Sequence, residues 1–449
     1  MKHLSLRRQN LLNELLSLPN LLDALQALPA SDFHQIILHT GLEDCGELVA
    51  MATSSQLEEL FDADLWHNTA PGEIAHFDSN RFVRWLDILL EAGENTVMEK
   101  ICEMDGELLL YAMASQLLVL SSEELAQFFS GEDDDSRQVD ILLDSCMYEE
   151  LYEFQVISRN PETWDTLLTI LVALDKEHHD LVCTLLEQLA KLGSAQVEDE
   201  SLYTVLAEIE SMAENMRDKR DTRRGAKGFV SSPDARAFLG LADVHTVNEL
   251  LSAQTRDAIT NAYFRTYSPQ QPIKSNQMER HDIHSIIDVL RRHIPDLTAV
   301  GVAGALKGDT ADNQTMFQLA LQQLNANAPK RYQQRMSELS YLGNVVAAGC
   351  TLHGKRFRSV DASRAVLATC TLGIDVALYH GRHKWSVETA MNVIDDLPME
   401  RLFLAGFKYL SKSVKAPRDY PYLQKDAQTG MISFFDSMAD LALRCSSDF

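Results

Sequence analysis

Arg84-x-x-Asp87-Ile88-Leu89-Leu90-Glu91 recurs 53 residues later as Arg137-x-x-Asp140-Ile141-Leu142-Leu143-Asp144. Upstream, Ile36-Ile37-Leu38-x-x-Gly41 matches Ile88-Leu89-Leu90-x-x-Gly93 at an offset of 52. A unit of about 50 residues holds two or three helices and cannot bury its apolar face alone, so neighbouring units stack. The recurrence predicts helix pairs stacked in chain order over residues 20–190. It also predicts equivalent core positions for Leu90 and Leu143.

Signals on either side agree. Thr53-Ser54-Ser55-Gln56 caps a helix carrying Leu57, Leu60 and Phe61. Asp78-Ser79 precedes Phe82, Trp85, Leu86 and Leu89, spaced i, i+3, i+4, i+7 as on one helical face. Ser121-Ser122-Glu123-Glu124 reads as a cap for Leu125, Phe128 and Phe129, and Asn160-Pro161 as the start of a helix with Trp164, Leu167 and Leu171 inward. No strand alternation of comparable length is visible. Only 12 prolines and 20 glycines punctuate 449 residues, which favours long helices. The expected fold is all-α: a helical-repeat, α-solenoid-like N-terminal domain plus a second helical domain.

Charge divides the chain at the same place. Residues 1–216 carry 42 Asp and Glu against 10 Lys and Arg, a net −32; the remaining 233 carry 24 against 30, a net +6. Between these parts lies Met216-Arg-Asp-Lys-Arg-Asp-Thr-Arg-Arg-Gly-Ala-Lys227. The expected organisation is an acidic repeat domain over 1–216, a basic linker over 217–228 and a helical domain over 229–449. Arg217, Arg220, Arg223 and Arg224 are candidate partner-binding residues, ready to meet an acidic surface in cis or on another protein. Nucleic acid is disfavoured as a partner, because a −32 body repels phosphate.

Leu28-Pro29 with Ala52-Thr53-x-x-Gln56-Leu57-x-x-Leu60-x-Asp62-x-Asp64-Leu65-Trp66 resembles the helical repeats of the cytosolic N domain of MgtE-type magnesium transporters, over roughly residues 20–130. That resemblance implies a divalent-cation-responsive regulator, but no channel follows the acidic domain, so transport is not implied. The whole chain also resembles an uncharacterised bacterial family of about this length. Phe77-Asp78-x-x-Arg81-Phe82-x-x-Trp85-Leu86, Gly228-Phe229-Val230-Ser231-x-Pro233 and Glu338-Leu339-x-Tyr341-Leu342-x-Asn344 carry it.

The second half reads as further helices: an amphipathic one over 280–293 ending at Pro295, then 332–349, 360–378, 387–394 and 399–412. Gly349-Cys350-Thr351-Leu352-His353-Gly354-Lys355-Arg356 has phosphate-loop spacing but ends in Arg where magnesium needs Ser or Thr, and it follows a helix rather than a strand. It is expected to be a turn between packed helices, with Lys355, Arg356 and Arg358 available to an anion or an acidic partner. Glu132-Asp133-Asp134-Asp135 lacks the glycine and alternating ligands of an EF-hand; at most it offers a weak electrostatic Mg²⁺ site, the one metal candidate. No histidine pair is completed by a third ligand, and no Cys–His pair with an orienting residue stands out. Catalytic and cofactor-binding residues are therefore expected to be none.

The cysteines (45, 102, 146, 183, 350, 370 and 445) form no C-x-x-C pair and suggest reduced, mostly buried thiols of a cytoplasmic protein. No window reaches the roughly 18 uninterrupted apolar residues of a membrane helix, and no secretory signal is visible between Met1 and Leu22. The expected function is a non-enzymatic, cytoplasmic protein-interaction or regulatory scaffold with a protein partner and no membrane insertion. The alternatives are a Mg²⁺-responsive regulator and an enzyme with a site in the C-terminal domain near Arg356 and Asp361.

Overall fold

Gly41 and Gly93, the two glycines that end the matched Ile/Leu runs, both terminate helices in the computed structural model. It describes residues 10–67, 73–122, 147–197, 202–252, 256–267, 277–294, 315–352, 355–357 and 359–412. These fall into two units, one of Met1–His67, His76–Arg220 and Ser275–His293, the other of Asn68–Ala75, Asp221–Lys274 and Ile294–Phe449. In the first, α1 (Leu21–Gln26) and α2 (Ala30–Thr40) lead to Gly41 at φ +105, and α5 (Ser79–Ala92) ends at Gly93 at φ +140. Both conformations favour glycine, so each stop is written in the sequence.

After each glycine the elements come in the same order. Gly41 is followed by α3 (Gly46–Met51), α4 (Ser54–Asp64) and β1 (Trp66–His67), which pairs with β2 (His76–Phe77). Gly93 is followed by α6 (Glu94–Cys102), α7 (Gly106–Gln116) and β3 (Leu117–Ser121). Helices α4 and α7 are both 11 residues long, and each boundary of α7 lies 52 positions after that of α4. Caps fix those starts: Thr53 and Gln56 form a capping box before α4, and the Asp105 side chain accepts from the Glu107 N–H before α7. Residues 137–144, which carry the second Arg-x-x-Asp motif and Leu143, lie outside the described residues. On α5, Phe82, Trp85, Leu86 and Leu89 are buried while Leu90 is only half-buried.

The last residues of α4 and α7 are polar anchors. Asp64 accepts from Arg81 Nε at 2.8 Å and Trp85 Nε1 at 2.7 Å, both on α5. Gln116 donates to Ser79 Oγ and Asn80 Oδ1, each at 2.8 Å, and accepts from Thr163 Oγ1 at 2.9 Å. Each anchor ties the end of one helix to the start of another and satisfies polar atoms removed from water.

The unforeseen element is a three-stranded antiparallel sheet, ordered β3, β5 (Phe154–Ser158), β4 (Tyr148–Leu151), with Leu118 opposite Ile157. Leu117-Leu118-Val119-Leu120 is buried throughout, so it lacks the alternation that would have marked it as a strand. Ser121 ends this strand rather than opening a helix, and residues 123–146 lie outside the described residues. Two helices follow, α8 (Trp164–Glu177) and α9 (His179–Val197). Helix α9 packs against β3 so closely that a Cβ at Gly193 would clash with the Val119 carbonyl. Next, α10 (Leu202–Ala226) carries the basic segment as helix where a linker was expected, and the division between units falls within it, after Arg220.

In the second unit α11 (Ser232–Val244), α12 (Val247–Ser252) and α13 (Ala258–Thr266) come first. The chain then returns to the first unit through α14 (Gln277–His293). This helix packs on α1, and its Arg292 and His293 both bind Glu14, at 2.5 and 2.7 Å. The second unit resumes with α15 (Met316–Asn327), α16 (Pro329–Gly349), the hairpin β6 (Thr351–Leu352) and β7 (Lys355–Arg356), α17 (Ser359–His380), α18 (Val387–Asp396) and α19 (Met399–Lys412). Helices α17 and α19 pack backbone to backbone. A Cβ at Gly373 would clash with the Leu402 carbonyl, and one at Gly406 with that of Thr369. Among the described residues α17 alone has the length and composition to cross a membrane, and 83% of that stretch is buried inside the unit.

Candidate interaction surface

On the first unit, α10 presents its basic residues to the acidic elements α4 and α7. Lys219 Nζ sits between Asp105 Oδ2 at 3.0 Å and Glu107 Oε2 at 2.9 Å. The hydrogen bonds it donates to Glu107 and Asp105 hold its ammonium above the usual lysine range. One residue on, Arg220 is buried. Its Nε donates to the Asp62 carbonyl at 3.0 Å and its guanidinium lies 5.2 Å from the centre of the Trp66 ring. Trp66 lies two residues after α4, and Asp105 is the cap of α7, so the ends of these two helices supply both receptors. The Tyr111 phenol, raised by burial, is lowered in turn by the charge of Arg217. Arg223 is half-buried, and Arg224 lies over the Phe229 ring at 4.3 Å in the second unit.

Beside this surface runs a groove of about 640 Å³ lined by Leu22, Glu47, Met51, Ser54, Lys100 and Glu103 among others. Ser54 donates to the Glu103 carboxylate across it. Glu103 faces the groove and Asp105 and Glu107 hold Lys219, so one short acidic stretch serves both features.

Of the residues singled out in the sequence, Glu132, Asp133, Asp134 and Asp135 lie outside the described residues, as does Arg358. Lys355 and Arg356 lie on β7, and Asp361 in the first turn of α17. The receptors Trp66, Asp105 and Glu107 were not singled out. Their signal was the 52-residue offset, which puts Thr53 and Asp105 at matching caps. Among the described cysteines Cys45, Cys350 and Cys370 are buried, Cys183 is half-buried and Cys102 is exposed.

The second unit holds a buried network of charges. Arg335 and Glu338 on α16 and Glu400 on α19 are all buried, joined by the partly exposed Arg256 that precedes α13. Arg335 Nη1 reaches both Glu338 oxygens, at 2.9 and 2.8 Å, while its other nitrogens donate to the Ile394 and Asp395 carbonyls. Arg256 bridges Glu338 Oε1 at 2.5 Å and Glu400 Oε1 at 3.0 Å, with its guanidinium 4.4 Å from the Phe264 ring centre. The Met399 N–H donates to Glu338 Oε2 at 3.0 Å. Burial, reinforced by the charge of Glu338, pushes the Glu400 carboxyl up to about 7. Among the described residues no group of three or more His, Cys, Asp or Glu side chains is arranged to hold a metal ion.

No curated protein and no solved structure matches the chain. The resemblance to the magnesium-transporter domain thus finds no counterpart there. Residues 2–204, nearly all of the acidic part, match the model of a family of unknown function, DUF6178.

Proposed function

We propose that the chain is a cytoplasmic, non-enzymatic interaction scaffold whose acidic first unit docks basic helical segments of a protein partner. The observation that carries this reading is the reception of Lys219 and Arg220: carboxylates hold the first, and an aromatic face with a backbone carbonyl holds the second. Aromatic and arginine contacts are the usual anchors of protein interfaces. The acidic stretch continues past the occupied positions into the groove, where Glu47 and Glu103 flank Leu22 and Met51. Apolar contacts with two carboxylates beside them, and Lys100 also on the wall, suit an amphipathic helix with cationic residues at its edge. Among the described residues the cysteines form no disulfide, which fits a reducing compartment.

In this reading the helix of the chain's own basic segment competes with the partner for the same receptors. Its effective concentration is high because it is covalently attached. The test adds a labelled basic helical peptide in trans and measures anisotropy. Lys219→Ala combined with Arg220→Ala vacates the receptors and should tighten binding by roughly tenfold or more. A charge-reversed peptide should bind neither protein. If the basic peptide binds neither the wild type nor the double variant at low salt, the reading fails.

A further inference from the structure

Tyr152 and Glu153 form the two-residue turn of the β4–β5 hairpin, between the paired Leu151 and Phe154. Tyr152 has φ +58, a left-handed conformation that such turns usually assign to Asn or Gly. Its side chain is held by specific contacts. The phenol donates to Asp175 Oδ2, and the ring meets the His179 imidazole edge-on with centroids 5.0 Å apart. Asp175 Oδ1 lies 2.9 Å from His179 Nδ1, and His179 Nε2 lies 3.5 Å from Cys183 Sγ. Carboxylate, imidazole and thiol thus follow one another at four-residue spacing from the end of α8 along the start of α9.

The charges fix the protons. The Tyr152 hydrogen bond first, and then that of His179, hold the Asp175 carboxyl below the usual carboxylate range; the same bond pushes the phenol up to about 12. In the neutral imidazole, an ionised Asp175 favours the tautomer with the proton on Nδ1, which leaves Nε2 as an acceptor facing the thiol. Desolvation, with Asp175, Glu187, Asp180 and Glu153 around it, pushes the Cys183 thiol up. The sulfur therefore keeps its proton at rest, directed at Nε2. Its reaction is assisted by a base that removes that proton as the new bond forms.

We propose that Cys183 is a thiol–disulfide exchange site, with His179 as the base and then the acid of the exchange, and that it selects cationic low-molecular-weight disulfides. Cys183 Sγ attacks one sulfur of R–S–S–R while His179 Nε2 takes the thiol proton. The new Sγ–S bond forms as the old S–S bond breaks, and the proton passes to the leaving sulfur as RSH. Cys183 is oxidised to the mixed disulfide and the departing half is reduced; no other reagent is consumed. Asp175 and Tyr152 are positioning residues. The carboxylates of Glu153, Asp180 and Glu187 set the charge preference: they attract a cationic disulfide and repel an anionic one. The imidazole is exposed on the surface of the unit, so a small disulfide can reach it.

The exposed Cys102 is an internal control. Its thiol is also raised, by desolvation and Glu103, but it has no histidine contact among the described residues. The reduced full-length chain is mixed with cystamine or oxidised glutathione, and modification of each cysteine is followed by peptide mass mapping. Cys183 should react with cystamine at least about a hundredfold faster than Cys102, the lower end of the range for a positioned base. His179→Gln should bring Cys183 down to the Cys102 rate. Tyr152→Phe should shift the pH profile at Cys183 and leave Cys102 unchanged, which also reports an intact fold. The preference for cystamine over oxidised glutathione should be larger at Cys183 than at Cys102, and should shrink in high salt. Equal rates at the two cysteines, or a Cys183 rate indifferent to His179→Gln, would overturn the exchange site. Equal charge preference at both would overturn the selectivity.

Discussion

In the first unit Lys219 meets Asp105 and Glu107 with a third to a half of each side chain still in water; in the second, Arg335 meets Glu338 with 2% and 0% exposed. The first contact is cheap to form and cheap to lose, since solvent screens the charges and solvates them again when they part. The second is bound to the fold, because Arg335 without Glu338 stays buried with no carboxylate to meet it. Contacts of the first kind suit exchange with another molecule. Those of the second specify how α16, α19 and the Arg256 segment pack. Glu338→Ala leaves Arg335 buried without its carboxylate, while Arg256 keeps Glu400, and should destabilise the second unit by about 3–5 kcal/mol. Hydrogen exchange should show lost protection in α16 and α19 and none in α4 or α7. A loss below about 1 kcal/mol would place the buried network on the same footing as the surface pair.

The pH response separates the units next. The Glu400 carboxyl is raised to about 7, above the ordinary 4.5, chiefly by burial and then by Glu338. Between those values the folded chain holds a proton that the unfolded chain has released, so folding is favoured at the acid end and loses stability as pH rises through the window. Acidification from pH 8 to pH 5 should stabilise the second unit by on the order of 2–3 kcal/mol. Glu400→Gln should flatten that slope. A wild-type slope of the opposite sign would mean that Arg256 and Arg335 stabilise the charged carboxylate more than burial penalises it.

Close packing supplies a comparable test. Gly406→Ala places a methyl against the Thr369 carbonyl and forces α17 and α19 apart. The cost should be about 1–3 kcal/mol, the usual range for an overfilled core, read by chemical denaturation. Gly225→Ala, where a Cβ meets nothing within 4 Å, should cost nothing and serves as the matched control on α10.

Local features were legible in the sequence. Thr53 with Gln56, Asp78 and the glycines at 41 and 93 mark helix ends through chemistry confined to a few residues, and the structure places helix boundaries at each. The helices over 332–349, 360–378, 387–394 and 399–412 appear within a few residues of their expected bounds. Strand β3 was hidden because a strand covered on both faces shows no alternation. The buried network was hidden for another reason: Glu338 lies 62 residues from Glu400 and 82 from Arg256, and no local pattern joins them. The His179–Cys183 pair could have been found, since four-residue spacing puts side chains on one helical face; Asp175 sits on the preceding helix and joins them only across the break at His178. The decisive addition, Tyr152, comes from a hairpin whose strands were not recognised.

The smallest expected effect tests the proposed surface most directly. Lys219 has two carboxylates within 3.0 Å, but its side chain is 45% exposed, so both contacts exchange with water. Lys219→Ala should cost about 0–1 kcal/mol of first-unit stability at low salt. That difference should vanish near 1 M salt, where the Debye length falls to about 3 Å. Arg220 differs because it is buried against Trp66 and donates to a backbone carbonyl. Arg220→Lys keeps the charge but loses the planar stacking and the fixed Nε donor, so part of its effect should survive in salt. A partner's basic helix would then owe its attraction to lysine-like contacts and its register to one arginine on Trp66. Should Lys219→Ala retain its full cost at 1 M salt while Arg220→Lys costs nothing, those two roles would be reversed.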